Sequence, residues 1–322
     1  MKVAVLDDYQ NVALKMADWG KLRGKAEITV FTDHAEGVDA VAKRLAPFDI
    51  VCCMRERTPF KRDLFKKLPN LKLLITTGSR NLSIDVEAAN ECGVTVCHTN
   101  NPASAPQMVQ FTWGMILAFL RHIPLEEQNV RGGGWQTTIG NTIHDKTLGV
   151  IGLGKIGAGV AKIGQAFGMK TIAWSQNMTP GKAAAAGATA VSKEELFSSA
   201  DIISLHLVLS ERSRGIVGAR ELGMMKKTAV LVNTSRGPLV DEAALLKALR
   251  AKQIAGAALD VYDQEPLPPD HPLRKLDNVV VTPHVGFVTE ETYRIYFNDV
   301  VEDILAFLDS KPVRVLKPGG AE

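Results

Sequence analysis

The chain has 322 residues, 46% of them hydrophobic and 23% charged, an ordinary balance for a globular protein and enough length for two domains with separate cores. The 38 basic and 35 acidic residues leave a net charge of +3 and are dispersed along the chain, so nucleic acid is not an expected partner. No apolar run approaches the ~20 residues of a membrane span, and the opening run Val3 to Leu6 stops at Asp7 and Asp8, too early for a secretory signal, so a cytoplasmic location is expected.

Short β-branched runs alternate with longer stretches suited to helices, the pattern of parallel sheets covered on both faces. Strands are predicted at Val3 to Asp7, Ile28 to Phe31, Ile50 to Met54, Leu73 to Thr77 and Val94 to His98, forming one five-stranded α/β unit. Cys52, Cys53, Cys92 and Cys97 make no CxxC pair and join no histidine cluster; they are expected to be small buried residues on or near these strands, with no metal. Pro102 to Arg121, rich in Met, Phe, Leu and Trp, is expected to be a helix crossing between domains, and Arg131 to Trp135, with its three consecutive glycines, a flexible loop.

A second series of strands follows at Leu148 to Gly152, Thr171 to Ser175, Asp201 to Leu207, Ala229 to Thr234, Gly256 to Val261 and Val279 to Thr282. Six in order suggest a dinucleotide-type sheet. After Pro283 and Gly286, the apolar residues Ile295, Val300, Ile304, Phe307 and Leu308 recur at helical spacing, which predicts a helix over Glu290 to Leu308. With no strand after it, that helix is expected to fold back on the first unit. The chain then divides into 1–100 with 287–322, and an inserted 101–286. Two covalent crossings make a natural hinge, with a cleft between the lobes.

Within the second series, Gly152, Gly154 and Gly157 stand between the first strand and the small-residue helix Ala158 to Phe167, with Lys155 and Ile156 among them. Glycine suits the tight turn, the place where backbone nears a pyrophosphate, and the contact of helix with sheet, while amides at the helix start hold phosphate. A dinucleotide is therefore expected. At the end of the next strand an acidic residue ordinarily binds the ribose 2′-hydroxyl, but Ser175, Gln176 and Asn177 stand there, and no acidic residue occurs from Ala158 through Lys193. Ser175, Asn177 and Lys182 suit a 2′-phosphate, although no arginine is present to clamp it, so NADP is favoured over NAD.

Three polar sequences sit at or just past the late strands, where ligands bind in open α/β sheets. They are Val232-Asn-Thr-Ser-Arg-Gly-Pro238, Ala258-Leu-Asp-Val-Tyr-Asp-Gln-Glu-Pro266 and Thr282-Pro-His-Val-Gly-Phe287. These resemble the Arg, Glu and His signatures of the D-isomer-specific 2-hydroxyacid dehydrogenases, and the resemblance is collinear over nearly the whole chain. It implies a Rossmann-type NAD(P)-binding domain, 101–286, inserted into a flavodoxin-like substrate domain, 1–100 with 287–322. It further implies hydride transfer between a nicotinamide and a small 2-keto or D-2-hydroxy acid, in a homodimer that meets through the apolar crossing helix and the Gly-rich loop.

The chemistry agrees residue by residue. Arg236 offers a planar fork for a carboxylate or ketone oxygen. His284 supplies or removes the proton, and Glu265 hydrogen-bonds the imidazole, fixing its orientation and favouring its charged form. By resemblance, Asp260, Thr234, Ser235 and Gly286 lie by the nicotinamide, while His206 and Val208 line the adenine side. Gly78 and Ser79 resemble the loop whose N–H groups grip the substrate carboxylate. The sequence departs from the family pattern at Arg80, Leu82 and Ser83, so Arg80, if it faces the cleft, favours a substrate with a second anionic group; Arg55 is a further candidate contact. Gln110 stands where the family often has Glu. Two rivals remain at this level: a phosphite-type dehydrogenase on the same frame, and a dinucleotide-sensing scaffold without catalysis.

Overall fold

The computed structural model describes residues 1–102 and 106–318. The chain forms two compact units, Met1–Ala103 with Val288–Glu322, and Ser104–Phe287, so both changeovers come slightly later than the sequence boundaries at 100/101 and 286/287.

The first unit is built on β1 (Lys2–Val5), β2 (Glu27–Val30), β3 (Ile50–Cys53), β4 (Leu73–Thr76) and β5 (Thr95–His98), in the spatial order β2-β1-β3-β4-β5. Every pairing is parallel. β3 and β4 are buried along their whole length, as continuous apolar runs must be when helices cover both faces. Leu64, Phe65, Val41 and Leu45 from two helices pack with Val51, Leu74 and Val96 from the sheet. Helix Glu290–Leu308, which Thr289 caps by accepting the Thr292 N–H, buries Tyr293, Tyr296, Phe297, Val300 and Ile304. The chain does not stop pairing after it. Val315 forms an isolated antiparallel bridge to Cys97 at the β5 edge, but no strand follows the helix among the described residues. Cys92 corrects an expectation: it is exposed, whereas Cys52, Cys53 and Cys97 are buried. It follows helix Val86–Glu91 at its C-terminal cap rather than lying on a strand.

The second unit holds β6 (Thr147–Ile151), β7 (Lys170–Trp174), β8 (Thr189–Ala190), β9 (Ile202–Leu205), β10 (Val230–Asn233), β11 (Gly256–Leu259) and β12 (Val279–Val281). Their order is β12-β11-β10-β9-β6-β7-β8, again parallel throughout. The two-residue β8 is absent from the strands predicted above. Alternate side chains feed two cores: Val230, Val232 and Ile202 point to one face and Leu231, Ile203 and Leu205 to the other. On the first of these faces, helix Pro106–Leu120 meets helix Lys155–Ala166, and Trp113 Nε1 donates to the Val160 carbonyl at 3.2 Å. Residues 103–105 of the predicted crossing helix lie outside the described residues. A further helix, Ile123–Arg131, has no buried residue and ends where the predicted glycine loop begins.

The strand order reverses direction between β6 and β9, which lie side by side. At such a switch point the connecting loops diverge to opposite faces and leave a crevice beyond the strand ends. That crevice places the site.

Candidate active site

The loop leaving β6 is shaped by contacts only glycine allows. Gly152 has φ +93° and its Hα faces the His206 carbonyl, to which an added Cβ would come within 2.6 Å. Gly157, in the first turn of helix Lys155–Ala166, sits so close to that loop that a Cβ would lie 1.9 Å from the Gly152 carbonyl oxygen. Gly154 is different: nothing lies within 4 Å of where its Cβ would be. It is the N-cap of that helix, without a side-chain cap, and the amides of Gly154, Lys155 and Ile156 have no hydrogen-bond partner among the described residues. This cradle fits a pyrophosphate, since unsatisfied amides and the positive end of the helix dipole converge where backbone alone approaches.

Beside it, Ser175 is half-buried and Gln176 and Asn177 are exposed at the end of β7. Across the switch point, His206 Nε2 lies 2.9 Å from Ser204 Oγ, and burial pushes the imidazole down to about 4. Val208 is 66% exposed, an open apolar surface by the crevice.

The three late motifs come together at the ends of β10, β11 and β12. After β10, the Asn233 side chain ties the turn, its Nδ2 donating to the Arg236 carbonyl at 2.8 Å and its Oδ1 accepting the Ser235 N–H at 3.1 Å. Arg236 Nη1 donates to the Ser235 carbonyl at 2.7 Å. Gly237 brings this turn against the next one, for its added Cβ would fall 2.0 Å from the Tyr262 carbonyl carbon. Thr234 Oγ1 is 2.9 Å from Thr112 Oγ1 on helix Pro106–Leu120.

After β11, Glu265 Oε1 accepts the Tyr262 N–H at 2.9 Å, and Glu265 Oε2 lies 2.5 Å from His284 Nδ1. His284 Nε2 has no hydrogen-bond partner among the described residues. With side-chain exposures of 18% for His284 and 26% for Glu265, the pair is sheltered but reachable. Phe287 packs edge-on to the imidazole at a centroid distance of 5.6 Å. The imidazole is thus held at one nitrogen and offers the other.

Asp260 is wholly buried, and its carboxylate faces the histidine loop rather than open space. Oδ1 accepts from Thr282 Oγ1 at 2.6 Å and from the Val285 N–H at 3.0 Å, and Oδ2 from the Gly286 N–H at 2.9 Å. Burial raises its pKa, opposed by these hydrogen bonds. Tyr262 fastens the same loop from the other side, donating its hydroxyl to the Thr282 carbonyl at 2.8 Å; burial of the phenol raises its pKa. Asn233, Tyr262 and Thr282 shape the site yet escaped the sequence reading, because a short polar side chain that serves the backbone has no pattern of its own.

In the first unit, Gly78 has φ +84° and leaves space for Arg55, whose Nη1 would lie 1.8 Å from a Cβ there. Arg55 itself has φ +52°, donates its N–H to Thr77 Oγ1 at 2.9 Å and accepts from Asn81 Nδ2 at 2.6 Å. The Gly78 amide is already taken, donating to Thr99 Oγ1 at 2.7 Å. This corrects the expectation of two free amides in that loop and leaves those of Ser79 and Arg80 without a partner among the described residues. The Arg80 side chain is exposed.

An all-parallel sheet with a phosphate-fitting cradle at its switch point, and Arg236, Glu265 and His284 on the segments that follow β10, β11 and β12, fits the class of nicotinamide-dependent oxidoreductases. Residues 113–286 match the family described as D-isomer specific 2-hydroxyacid dehydrogenase, NAD binding domain. The chain is 40% identical over 259 residues to a glyoxylate reductase of Aeropyrum pernix, covering 77% of each chain. It is 36% identical over 307 residues to a D-3-phosphoglycerate dehydrogenase of Methanocaldococcus jannaschii, covering 94% of this chain but only 57% of that longer relative. The crystal structure of a phosphoglycerate oxidoreductase from Vibrio cholerae aligns with a TM-score of 0.92 at 39% identity, over 96% of this chain and 99% of that one. The chain belongs to the D-isomer-specific 2-hydroxyacid dehydrogenase family. No helix among the described residues is long and apolar enough to cross a membrane.

Proposed function

We propose that this protein interconverts a small 2-keto acid and its D-2-hydroxy acid, with NADP favoured over NAD, and that His284, Glu265 and Arg236 carry the chemistry. The bound nicotinamide supplies or receives the hydride. In reduction, His284 Nε2–H gives its proton to the substrate oxygen, while Arg236 anchors the substrate and stabilises charge on that oxygen through its guanidinium fork. Glu265 fixes the imidazole in the tautomer that leaves Nε2 toward the reacting group and stabilises the imidazolium that reduction consumes. Asp260, Thr282 and Tyr262 hold the loop that carries the imidazole; Thr234, Ser235 and Gly286 would flank the nicotinamide, with Asp260 beside it through the backbone and its carboxylate turned to the histidine loop. In this reading Ser104–Phe287 is the dinucleotide domain and the other unit the substrate domain, where Ser79 offers its amide to the substrate carboxylate, Gly78 sets the turn, and Arg55 and Arg80 are the further substrate contacts.

The observation that carries the reading is the 2.5 Å contact between Glu265 Oε2 and His284 Nδ1, with Nε2 left without a partner among the described residues. The open nitrogen lies on the loop after β12, at the strand ends where ligands bind in sheets of this kind. For NADP, the support is the absence of any acidic residue from Ala158 through Lys193, which removes the carboxylate that would repel a 2′-phosphate. A homodimer is supported by apolar side chains that lack cover near the glycine loop, with Trp135 74% and Ile139 93% exposed. The protein is proposed to work in the cytoplasm.

The test is an initial-rate comparison with NADH and NADPH over glyoxylate, hydroxypyruvate and phenylpyruvate, using the natural chain and His284→Ala. Turnover is expected with at least one keto acid, faster with NADPH, and lost in the variant while NADPH still binds. Undiminished turnover by His284→Ala would overturn the proton-transfer assignment, and a preference for NADH would overturn the coenzyme assignment.

A further inference from the structure

We infer that Arg212, on the loop after β9, is the residue that recognises the coenzyme's 2′-phosphate, supplying the guanidinium that the loop after β7 lacks. The inference rests on the NADP reading above and deepens it.

The loop after β7 is free of acidic residues but also of arginine, and its polar groups Ser175, Gln176 and Asn177 are neutral. Neutral donors alone bind a dianionic phosphate weakly compared with a planar cation. The cation comes from across the switch point. Gln176 Nε2 donates to the Arg212 carbonyl oxygen at 3.5 Å, so the loop after β9 lies alongside the position where the adenosine ribose belongs in a sheet of this order.

That loop has a defined shape. Ser213 is buried, donates its hydroxyl to the Val208 carbonyl at 2.7 Å and accepts the Ser210 N–H at 2.8 Å. Residue 212 is therefore carried on a braced turn. Arg212 is exposed and makes no ion pair among the described residues, not even with the adjacent Glu211.

The other cations of the region are engaged elsewhere or less suited. Lys193 Nζ is 2.8 Å from Glu221 Oε1 and sits over the Trp174 ring. The charge of Arg214 acts on Asp263, which follows β11 on the far side of β9 and β10. Lys182 is exposed, but an ammonium is a compact point charge without the bidentate geometry of a guanidinium. Arg212 alone combines an uncommitted guanidinium with a direct tie to the loop after β7.

The experiment measures binding of 2′,5′-ADP and 5′-AMP to the full chain by calorimetry, for the natural protein, Arg212→Ala, Arg212→Lys and Lys182→Ala. Because Gln176 bonds a main-chain carbonyl, these substitutions keep the tie between the loops, and unchanged melting temperatures check that they do. The natural protein is expected to bind 2′,5′-ADP more tightly than 5′-AMP. Arg212→Ala is expected to weaken 2′,5′-ADP about tenfold or more and leave 5′-AMP within about twofold, with Arg212→Lys between and Lys182→Ala losing less. Unchanged 2′,5′-ADP binding in Arg212→Ala, or a larger loss in Lys182→Ala, would overturn the assignment to Arg212 while the coenzyme reading stands. A natural protein that binds 5′-AMP as tightly as 2′,5′-ADP would overturn the coenzyme reading, and this inference with it.

Discussion

Glu265 divides its carboxylate between two partners on different strand ends: Oε1 takes the Tyr262 N–H at 2.9 Å within its own loop, and Oε2 takes His284 Nδ1 at 2.5 Å from the loop after β12. The first bond fixes where the second points. A carboxylate so anchored cannot follow the imidazole if it swings, so the ring direction is set by β11 as well as by its own strand.

Glu265→Gln therefore keeps the shape and removes the charge. The amide oxygen can still accept from Nδ1–H, but it stabilises the imidazolium far less than a carboxylate does. We expect kcat for reduction to fall about 100-fold with KM nearly unchanged, and the melting temperature to drop, because the amide has one oxygen for two donors and turns its N–H₂ toward the Tyr262 N–H. A Glu265→Gln variant that keeps the natural kcat for reduction would contradict this assignment.

Asp260 controls the same histidine without touching it. Its oxygens accept three donors, from Thr282 Oγ1 and the amides of Val285 and Gly286, and His284 between them is held at φ +52°. An asparagine there would turn an N–H₂ toward at least one of those donors. Asp260→Asn is expected to destabilise the protein by about 1–3 kcal/mol and to lower kcat by more than that loss accounts for, because the loop relaxes and the imidazole leaves its direction. A variant with reduced melting temperature but natural kcat at a temperature where it is folded would show the network to be structural only.

The parts of this arrangement visible in the sequence are those in which one residue type is chemically irreplaceable. Gly152 and Gly157 announce a strand, a turn and a helix because nothing larger fits there, with Gly154 completing the spacing, and His284 and Glu265 stand out through the resemblance of their segments to the family's signatures. Asn233 and Tyr262 were invisible for the opposite reason: their work is to satisfy backbone groups brought near only by folding. β8, with two residues, is too short for any period, and helix Ile123–Arg131 buries nothing and so carries no apolar stripe. Cys92 misled because a cysteine's usual burial is a tendency of the residue type, and a helix C-cap beside a turn is an exception to it.

The fingerprint glycines separate folding from coenzyme binding. An added Cβ at Gly157 meets the Gly152 carbonyl oxygen at 1.9 Å, whereas one at Gly154 meets nothing within 4 Å. Gly157→Ala must push the helix from the loop, and is expected to lower the melting temperature and abolish coenzyme binding together. Gly154→Ala leaves the free protein undisturbed but puts a methyl where backbone should approach the pyrophosphate. Its melting temperature should match the natural chain while coenzyme affinity, followed by fluorescence titration, falls about tenfold, near 1.4 kcal/mol. Equal losses of stability in the two variants would refute the distinction.

His206 ties stability to pH with a definite sign. Burial holds its imidazole at about 4 in the folded chain, against about 6.5 for the unfolded one. Between those values the unfolded chain binds a proton that the folded chain does not, so unfolding becomes more favourable as pH falls from about 6.5 toward 4. His206→Asn keeps a polar group within reach of Ser204 and removes the titration. The natural chain should lose roughly 3 kcal/mol more than this variant across that window, read as diverging melting temperatures in coenzyme-free protein. Above pH 7 the difference between the two should be constant. Parallel curves from pH 7 to 4 would mean that the folded imidazole takes up its proton as readily as the unfolded one, and the crevice beside β9 would then be wetter than its packing implies.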